Sequence, residues 1–310
     1  MNVTILGFGV YGQAIATTLL ENNVNVAVWN RYQNEIDNQK NNYPEIKFTT
    51  NMEESIKDTE LIIIAIPVNF IEETILKLKT VYQHQDILIA SKGIDTKNNK
   101  FAYEIIEDIL NTKNIGVISG GSFAVDMKNK KVLGLALGTT TNTITTKVKK
   151  CLENSYIKIQ YTNDIIGVSV CGSIKNVMAI GFGILDGADY PESSRFLFLT
   201  KAIYEIQDLI KKLNGNESTV MSYAGLDDIM MTCTSAKSRN YTLGRLIGEN
   251  SSKEEIDNYK KTTTIEGLGT SKSIYSLAKE KNIDLPITNI IYNILYNNQD
   301  FNTLIECLKK

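Results

Sequence analysis

The sequence is poor in the residues from which many functional sites are built. It contains one histidine, and its four cysteines form no C-x-x-C pair. Protein zinc and iron sites rely on closely spaced Cys and His ligands, so we expect no metal site. The histidine, His84, lies in the polar segment 82–85, where a surface loop is expected. No histidine therefore remains for a Ser-His-Asp or Cys-His nucleophilic scheme.

Strong net charge and long hydrophobic runs are lacking as well. The formal net charge is −2 and only 4 residues are proline, the composition of a globular protein without a basic surface for nucleic acid or anionic membranes. An anionic ligand must then be held by a local basic site. The longest apolar runs, such as 61–68, are shorter than a membrane span of about 20 residues. Scattered thiols and a strand-like run from Val3 predict a cytosolic chain without a secretory signal.

The sequence does show a change of hydrophobic periodicity halfway along the chain. Short β-branched runs alternate with helix-like stretches in the first half, which predicts a mostly parallel sheet with helices on both faces. The predicted strands are 3–6, 24–29, 61–66, 87–90, 115–119 and 132–137, and the predicted helices are 10–22, 69–79 and 101–111. Longer helical patterns follow at 165–184, 195–212, 252–259, 270–281 and 287–296. We therefore predict a sheet domain at 1–163 and an all-helical domain at 164–310.

A glycine-rich turn follows the first predicted strand. Gly7, Gly9 and Gly12 form a G-x-G-x-x-G motif between that strand and the first helix. In this context the first glycine permits a tight turn, the second lets the backbone approach a pyrophosphate, and the third allows close helix–strand packing. The phosphates would lie on free N–H groups at the positive end of the helix. The motif predicts a Rossmann-like doubly wound domain that binds a dinucleotide; the alternative is a glycine turn without a ligand.

The end of the second strand bears on the choice of cofactor. NAD-selective sites often place an acidic residue about 20 residues after the glycines, where it holds the ribose 2′-hydroxyl. Here Asn30 stands at that position, and Arg31 follows it. A neutral residue and a cation accommodate the 2′-phosphate of NADP, so we expect NADP or NAD as cofactor, with NADP preferred. The alternative is that Arg31 only begins a surface helix.

Two lysines are candidates for the acid–base group of a dehydrogenase that has no catalytic histidine. Lys92 follows a buried strand, at the sheet edge where doubly wound folds bind ligands. Lys175 interrupts the nearly continuous apolar run 168–185. A lone helical lysine can extend its ammonium to solvent, but a buried lysine is seldom retained without a partner or a role. Burial lowers the pKa of a lysine from about 10.4 toward the working pH.

A third polar cluster lies farther along the chain. Asp228 and Thr232 are four residues apart and would share one face of a helix. Ser238, Arg239 and Asn240 then concentrate hydrogen-bond donors suited to a phosphate, and arginine can engage two phosphate oxygens at once. The alternative is a helix followed by a polar capping loop.

Together these motifs resemble the NAD(P)-dependent glycerol-3-phosphate dehydrogenase family of bacterial type. The resemblance rests on segments 7–12, 29–31, 91–94, 119–124, 175–177, 232–240 and 265–267, which follow the family's order over nearly the whole chain. It implies hydride transfer between NAD(P)H and dihydroxyacetone phosphate, giving glycerol 3-phosphate. By analogy it also implies a cytoplasmic homodimer that supplies phospholipid synthesis. The alternatives are a hydroxyacid or ketopantoate-type reductase, which would not require the segment 238–240, and a non-catalytic NAD(P)H-sensing module.

The resemblance also implies roles for individual residues. Lys175 is implied as the proton donor and acceptor, and Lys92, Asp228 and Thr232 would complete the polar ring around the reacting carbon. Substrate contacts are implied at Lys92, Gly120, Ser122, Ser238, Arg239 and Asn240, and dinucleotide contacts at Gly7, Gly9, Val10, Tyr11, Gly12, Arg31, Lys92, Ala124, Arg239 and Glu266. Glu266 is also expected to complete a helix capping box with Thr263. The family's pattern is broken at Gly121, at Asp227 and over 188–192, which bears on substrate affinity rather than on reaction type.

Overall fold

The chain folds into two compact units. The computed structural model describes residues 1–309. One unit comprises Met1–Lys92 with Phe101–Ile165, and the other comprises Gly93–Lys100 with the chain from Ile166 onward. The short segment 93–100 is therefore separated from the sequence around it, which no sequence pattern indicated.

The first unit is built on an eight-stranded sheet with the order β3-β2-β1-β4-β5-β6-β7-β8. The strands are β1 (Asn2–Leu6), β2 (Asn25–Trp29), β3 (Lys47–Thr49), β4 (Leu61–Ile64), β5 (Asp86–Ile89), β6 (Ile115–Ser119), β7 (Leu133–Gly138) and β8 (Ile157–Thr162). Strands β1 to β6 pair in parallel, β7 is antiparallel to β6, and β8 is parallel to β7. The predicted doubly wound, mostly parallel sheet is confirmed, and the order 3-2-1-4-5-6 is that of dinucleotide-binding folds.

Burial explains which strands could be recognised from sequence. Every residue of β4 is apolar and fully buried, because β4 lies between β1 and β5 and helices cover both faces. The sequence analysis missed β3 and β8. Strand β8 is an edge strand in which Ile157 and Ile159 are buried while Lys158 and Gln160 are exposed. Strand β3 has only three residues.

Seven α-helices belong to the first unit, which also has a 3-10 turn at Val68–Phe70. They are α1 (Val10–Glu21), α2 (Gln33–Lys40), α3 (Met52–Ile56), α4 (Ile71–Lys79), α5 (Ala102–Leu110), α6 (Ala124–Lys128) and α7 (Asn142–Leu152). Helix α4 shows why such segments are helical: Ile71, Ile75 and Leu78 recur at helical spacing and are buried, and lysines in the last turn complement the helix dipole. The sequence analysis found α1, α4 and α5 but not the four other helices, which are short or rich in polar residues.

The second unit is helical, as predicted. Its helices are α8 (Ile165–Gly187), α9 (Glu192–Lys212), α10 (Asp228–Thr234), α11 (Arg239–Gly248), α12 (Lys253–Thr262), α13 (Glu266–Lys281), α14 (Pro286–Tyr296) and α15 (Asn302–Leu308). Helix α8 is long and apolar enough to cross a membrane, but 83% of its apolar window is buried inside the protein. It is therefore the central core helix of this unit.

One buried carboxylate joins two helices of the second unit. Glu205 on α9 accepts hydrogen bonds from the backbone N–H groups of Ile287 and Thr288, at 2.7 and 2.9 Å. These amides belong to the first turn of α14, where N–H groups have no intrahelical acceptor. Burial raises the pKa of Glu205, while the hydrogen bonds from Thr288 and Ile287 act in the opposite direction. The side chain thus caps α14 from a neighbouring helix.

Candidate functional site

The glycine turn after β1 has the geometry that its motif requires. Gly7 has φ +96°, which side chains rarely adopt, and a Cβ there would lie 2.8 Å from the carbonyl oxygen of Ala65. A Cβ on Gly12 would lie 2.5 Å from the carbonyl oxygen of Gly7. The tight turn and the close packing of α1 on the sheet therefore both depend on glycine.

Gly9 differs from the other two glycines because it faces open space. A Cβ at Gly9 would meet no atom within 4 Å. Helix α1 begins after Gly9 without a side-chain cap, and its first intrahelical bond runs from Gln13 N to Gly9 O at 2.9 Å. The N–H groups of Val10, Tyr11 and Gly12 are thus left for an external acceptor, at the positive end of the helix dipole. This turn fits a pyrophosphate.

A cavity of about 470 Å³ lies beside this turn. It is lined by the loops that follow β1, β2 and β4, which is the point where the strand order reverses and where doubly wound sheets bind ligands. Trp29 and Tyr32 supply aromatic surface there, while Asn30 and Arg31 supply polar groups. The volume and this mixture of apolar and polar lining suit the adenosine half of a dinucleotide.

Arg31 already contacts two other side chains of the protein. Its Nη1 lies 3.0 Å from Oε2 of Glu73, and its guanidinium lies 5.4 Å from the centre of the Tyr32 ring. Lys77 Nζ lies 3.2 Å from the other oxygen of Glu73, and this hydrogen bond is the main cause of the lowered pKa of Glu73. The sequence analysis missed Glu73, because 42 residues separate it from Arg31.

A second group of predicted residues comes together in the first unit. Lys92 Nζ donates to the carbonyl oxygen of Gly120 at 3.2 Å, and the hydroxyl of Tyr11 lies 3.2 Å from Oγ of Ser122. Ser122 Oγ also donates to Gly120 O at 3.3 Å. Ala124 begins helix α6 two residues later. Residues predicted from separate motifs along the chain therefore surround the loop that follows β6.

The second unit brings together three of the predicted catalytic residues. Lys175 on α8 is 6% exposed, so the predicted burial is confirmed. Its ammonium donates to Oδ1 of Asp228 and, at 3.1 Å, to Oγ1 of Thr232. Thr232 Oγ1 is also 3.2 Å from Asp228 Oδ1, as their shared face of α10 predicts. An ammonium, a carboxylate and a hydroxyl therefore form one buried cluster.

The position of Asp228 depends on the backbone before it. A single π-helical turn, Tyr223–Asp227, leads directly into α10. A Cβ on Gly225 would overlap the carbonyl group of Val220, so this turn can only pack with glycine. Such turns are rare and frequent at functional sites. Here the turn places the fully buried Asp228 as the first residue of α10.

A chain of hydrogen bonds begins at Asn176, the residue that follows Lys175. Asn176 Nδ2 donates to Glu266 Oε2 at 3.0 Å, and Asn240 Nδ2 donates to Asn176 Oδ1 at 2.9 Å. Gly267 N donates to Asn240 Oδ1 at 2.9 Å. Both ends of the Asn240 amide are therefore used to join α8, α11 and α13. The sequence analysis included Asn176 only within the segment 175–177 and gave it no role.

The segment predicted to bind phosphate opens a helix. Ser238 is the residue before α11, and its Oγ accepts a hydrogen bond from Tyr241 N at 3.3 Å. Arg239 is the first residue of α11 and is exposed. The predicted capping box of Thr263 and Glu266 is wrong, because α13 begins at Glu266 itself and Ile265 precedes it.

The fold and the two groups of polar residues together define a class of protein. A doubly wound sheet with a glycine turn suited to a pyrophosphate, followed by a helical unit with a buried lysine, is the plan of a nicotinamide-dinucleotide oxidoreductase. The family model for the N-terminus of NAD-dependent glycerol-3-phosphate dehydrogenase matches residues 2–145, and that for the C-terminus matches residues 164–306. The chain belongs to the NAD-dependent glycerol-3-phosphate dehydrogenase family.

Individual relatives agree with this assignment over the whole length. A Staphylococcus aureus protein named glycerol-3-phosphate dehydrogenase (NAD(P)+) is 30% identical, over 99% of this chain and 96% of its own. The crystal structure of glycerol-3-phosphate dehydrogenase from Coxiella burnetii matches with a TM-score of 0.91 at 26% identity, over 100% of this chain and 98% of its own. A Plasmodium falciparum glycerol-3-phosphate dehydrogenase has the same fold, with a TM-score of 0.89 at 24% identity and coverage of 99% and 94%.

Proposed function

We propose that this protein interconverts dihydroxyacetone phosphate and glycerol 3-phosphate with NAD(P)H. The observation that carries the proposal is the buried cluster of Lys175, Asp228 and Thr232 in a chain of this family. An ammonium with two oriented partners is suited to give a proton to a carbonyl oxygen and to take it back from the alcohol.

The sheet unit holds the cofactor in this proposal. The glycine turn binds the pyrophosphate, and the cavity beside Trp29, Asn30 and Arg31 receives the adenosine half. When bound, the nicotinamide supplies a hydride to the ketone or accepts one from the alcohol. Lys92, Gly120 and Ser122 form the polar surface next to the reacting carbon, where Lys92 is held in place by the carbonyl oxygen of Gly120.

The helical unit holds the substrate and moves the proton. Lys175 donates its proton to the oxygen on C2 in reduction and accepts it in oxidation. Asp228 and Thr232 fix the position of its ammonium. Arg239, with the N–H groups at the start of α11, binds the phosphate, so that a contact far from the reacting carbon orients that carbon.

The test is the loss of absorbance at the nicotinamide band, with dihydroxyacetone phosphate and with NADPH and NADH in parallel. Simple 2- and 3-keto acids serve as competing substrates. We expect turnover with the triose phosphate and little with the keto acids. Preference for a keto acid would indicate a hydroxyacid or ketopantoate-type reductase. Cofactor binding without any turnover would indicate an NAD(P)H-sensing module.

We also propose that the protein is a cytoplasmic homodimer whose product enters phospholipid synthesis. The support is family membership. Light scattering of the purified protein tests the dimer, since a single monomer mass would contradict it. Depletion of the protein in its host, followed by labelling of membrane lipids, tests the metabolic role.

A further inference from the structure

Arg31 belongs both to the cofactor cavity and to an ion pair. Its side chain lines the cavity, yet its Nη1 lies 3.0 Å from Glu73 Oε2 on helix α4. The second oxygen of Glu73 lies 3.2 Å from Lys77 Nζ. These cations hold the pKa of Glu73 below its usual range, with Lys77 as the main cause. The carboxylate therefore remains ionised at neutral pH beside the one arginine of the cavity lining.

The two forms of the cofactor differ in charge at the ribose 2′ position. NADP carries a 2′-phosphate, and a cation after the second strand is what accommodates that group. A phosphate that approaches Arg31 must share the guanidinium with Glu73 and is repelled by the carboxylate. NAD carries a neutral hydroxyl at the same position, so neither effect applies to it. Glu35 also lines the cavity and adds a further negative charge.

We propose that Glu73 is a specificity-determining residue, which weakens NADP(H) relative to NAD(H) by competing for the guanidinium of Arg31. The proposal rests on the proposed cofactor site, but it concerns binding and not turnover. It predicts that this enzyme discriminates less between the two cofactors than Asn30 and Arg31 alone indicate. Both partners are exposed, with side-chain exposures of 41% and 48%. The expected effect is therefore modest, about two- to fivefold in affinity, as for exposed ion pairs.

The experiment compares the affinities of NADPH and NADH for the full chain and for Glu73→Gln. The chain has one tryptophan, Trp29, and it lines the cavity. Its fluorescence therefore reports cofactor binding without any substrate. At low ionic strength we expect the Kd for NADPH to fall about two- to fivefold in Glu73→Gln and the Kd for NADH to stay unchanged. The gain should disappear near 1 M salt, where the Debye length is about 3 Å.

Two further variants decide whether the effect passes through Arg31. In an Arg31→Ala background the gain from Glu73→Gln should shrink, because only the direct repulsion between Glu73 and the phosphate remains; an undiminished gain would overturn the proposal. Glu53→Gln is the matched control, because Glu53 lines the surface groove shared with Glu73 and Lys77. An equal gain in Glu53→Gln would show a general charge effect and would also overturn it. A protein that shows the expected binding shift but no turnover would contradict the dehydrogenase activity and not this inference.

Discussion

In the sheet unit the proposed pyrophosphate contacts come from the backbone, whereas in the helical unit the proposed proton-transfer cluster consists of buried side chains. The glycine turn leaves the N–H groups of α1 open, and Gly9 has no neighbour that a side chain would meet. In contrast, Lys175, Asp228 and Thr232 are each at most 6% exposed and already contact one another. Substitution of Gly9 can therefore impair binding without lowering stability, whereas in the buried cluster function and stability depend on the same atoms.

The largest effect on turnover is expected from substitution of Lys175. Lys175→Ala should lower kcat by about 10²- to 10⁴-fold, the contribution of a positioned acid. Binding of NADPH, read from Trp29 fluorescence, should remain. Lys175→Arg keeps the positive charge next to Asp228 but cannot release a proton, so it should fold normally and be nearly as inactive. Near-normal turnover of Lys175→Arg would eliminate Lys175 as the acid. Lys272→Ala, at an exposed position on α13, is the control.

Substitution of Asp228 tests whether the buried cluster of the helical unit contributes to stability. Asp228→Ala leaves the buried ammonium of Lys175 without its carboxylate, and breaking a buried ion pair in this way costs about 3–5 kcal/mol. Urea unfolding monitored by circular dichroism measures the loss. Asp208→Ala, at an exposed position on α9, should change stability by less than about 0.5 kcal/mol. Equal losses of stability in the two variants would show that the buried pair of Lys175 and Asp228 does not contribute to stability as proposed.

A matched pair of glycine substitutions separates binding from stability in the sheet unit. Gly9→Ala places a methyl group in open space, so the melting temperature should hold while cofactor affinity falls about 10- to 100-fold, the value of one charge-assisted hydrogen bond. Gly12→Ala brings a Cβ against the carbonyl oxygen of Gly7 and should lower the melting temperature. Calorimetry and fluorescence titration provide both readouts. Unimpaired binding by Gly9→Ala would contradict the assignment of this turn to the pyrophosphate.

The smallest effects are expected from substitutions of Asn240 and its neighbour Arg239, which should differ in whether stability or substrate binding is lost. Asn240→Ala leaves Gly267 N and Asn176 Oδ1 without their partners and should cost about 1–3 kcal/mol of stability, together with some kcat. Arg239→Ala should mainly raise the KM for the phosphorylated substrate, since the exposed side chain contributes little to folding. Thermal unfolding and steady-state kinetics on both variants test this. The prediction fails if the stability losses are equal.

The fold could be predicted from sequence where hydrophobic patterning was strong. Strand β6 was placed at its observed bounds, and the continuous apolar run of α8 indicated a core helix. Helices α2 and α3 and strand β3 were missed, because they are short and lie at the edge of the sheet, where little apolar surface has to be buried. The Thr- and Lys-rich helix α7 was missed for a similar reason: only four of its 11 residues are buried.

The candidate site shows the same limit at the level of single residues. Lys175 could be singled out, because a charge in an apolar helix is conspicuous. Its contact with Asp228, 53 residues away, followed only from the resemblance to a family. The pairing of Arg31 with Glu73 could not be recognised in this way, because two exposed charged residues on separate elements do not change the local hydrophobic pattern. The amide chain from Asn240 to Glu266 is equally a product of the tertiary structure.

The Glu205 carboxylate makes the folding of the second unit depend on helix α14. Its hydrogen-bond donors lie at residues 287 and 288, in the first turn of α14. A truncation before α14 would remove both donors at once, together with α15, and would uncover the face of α9 that these two helices contact. The C-terminal helices are therefore an integral part of this unit, and a shortened version of the protein should be prone to misfolding and proteolysis.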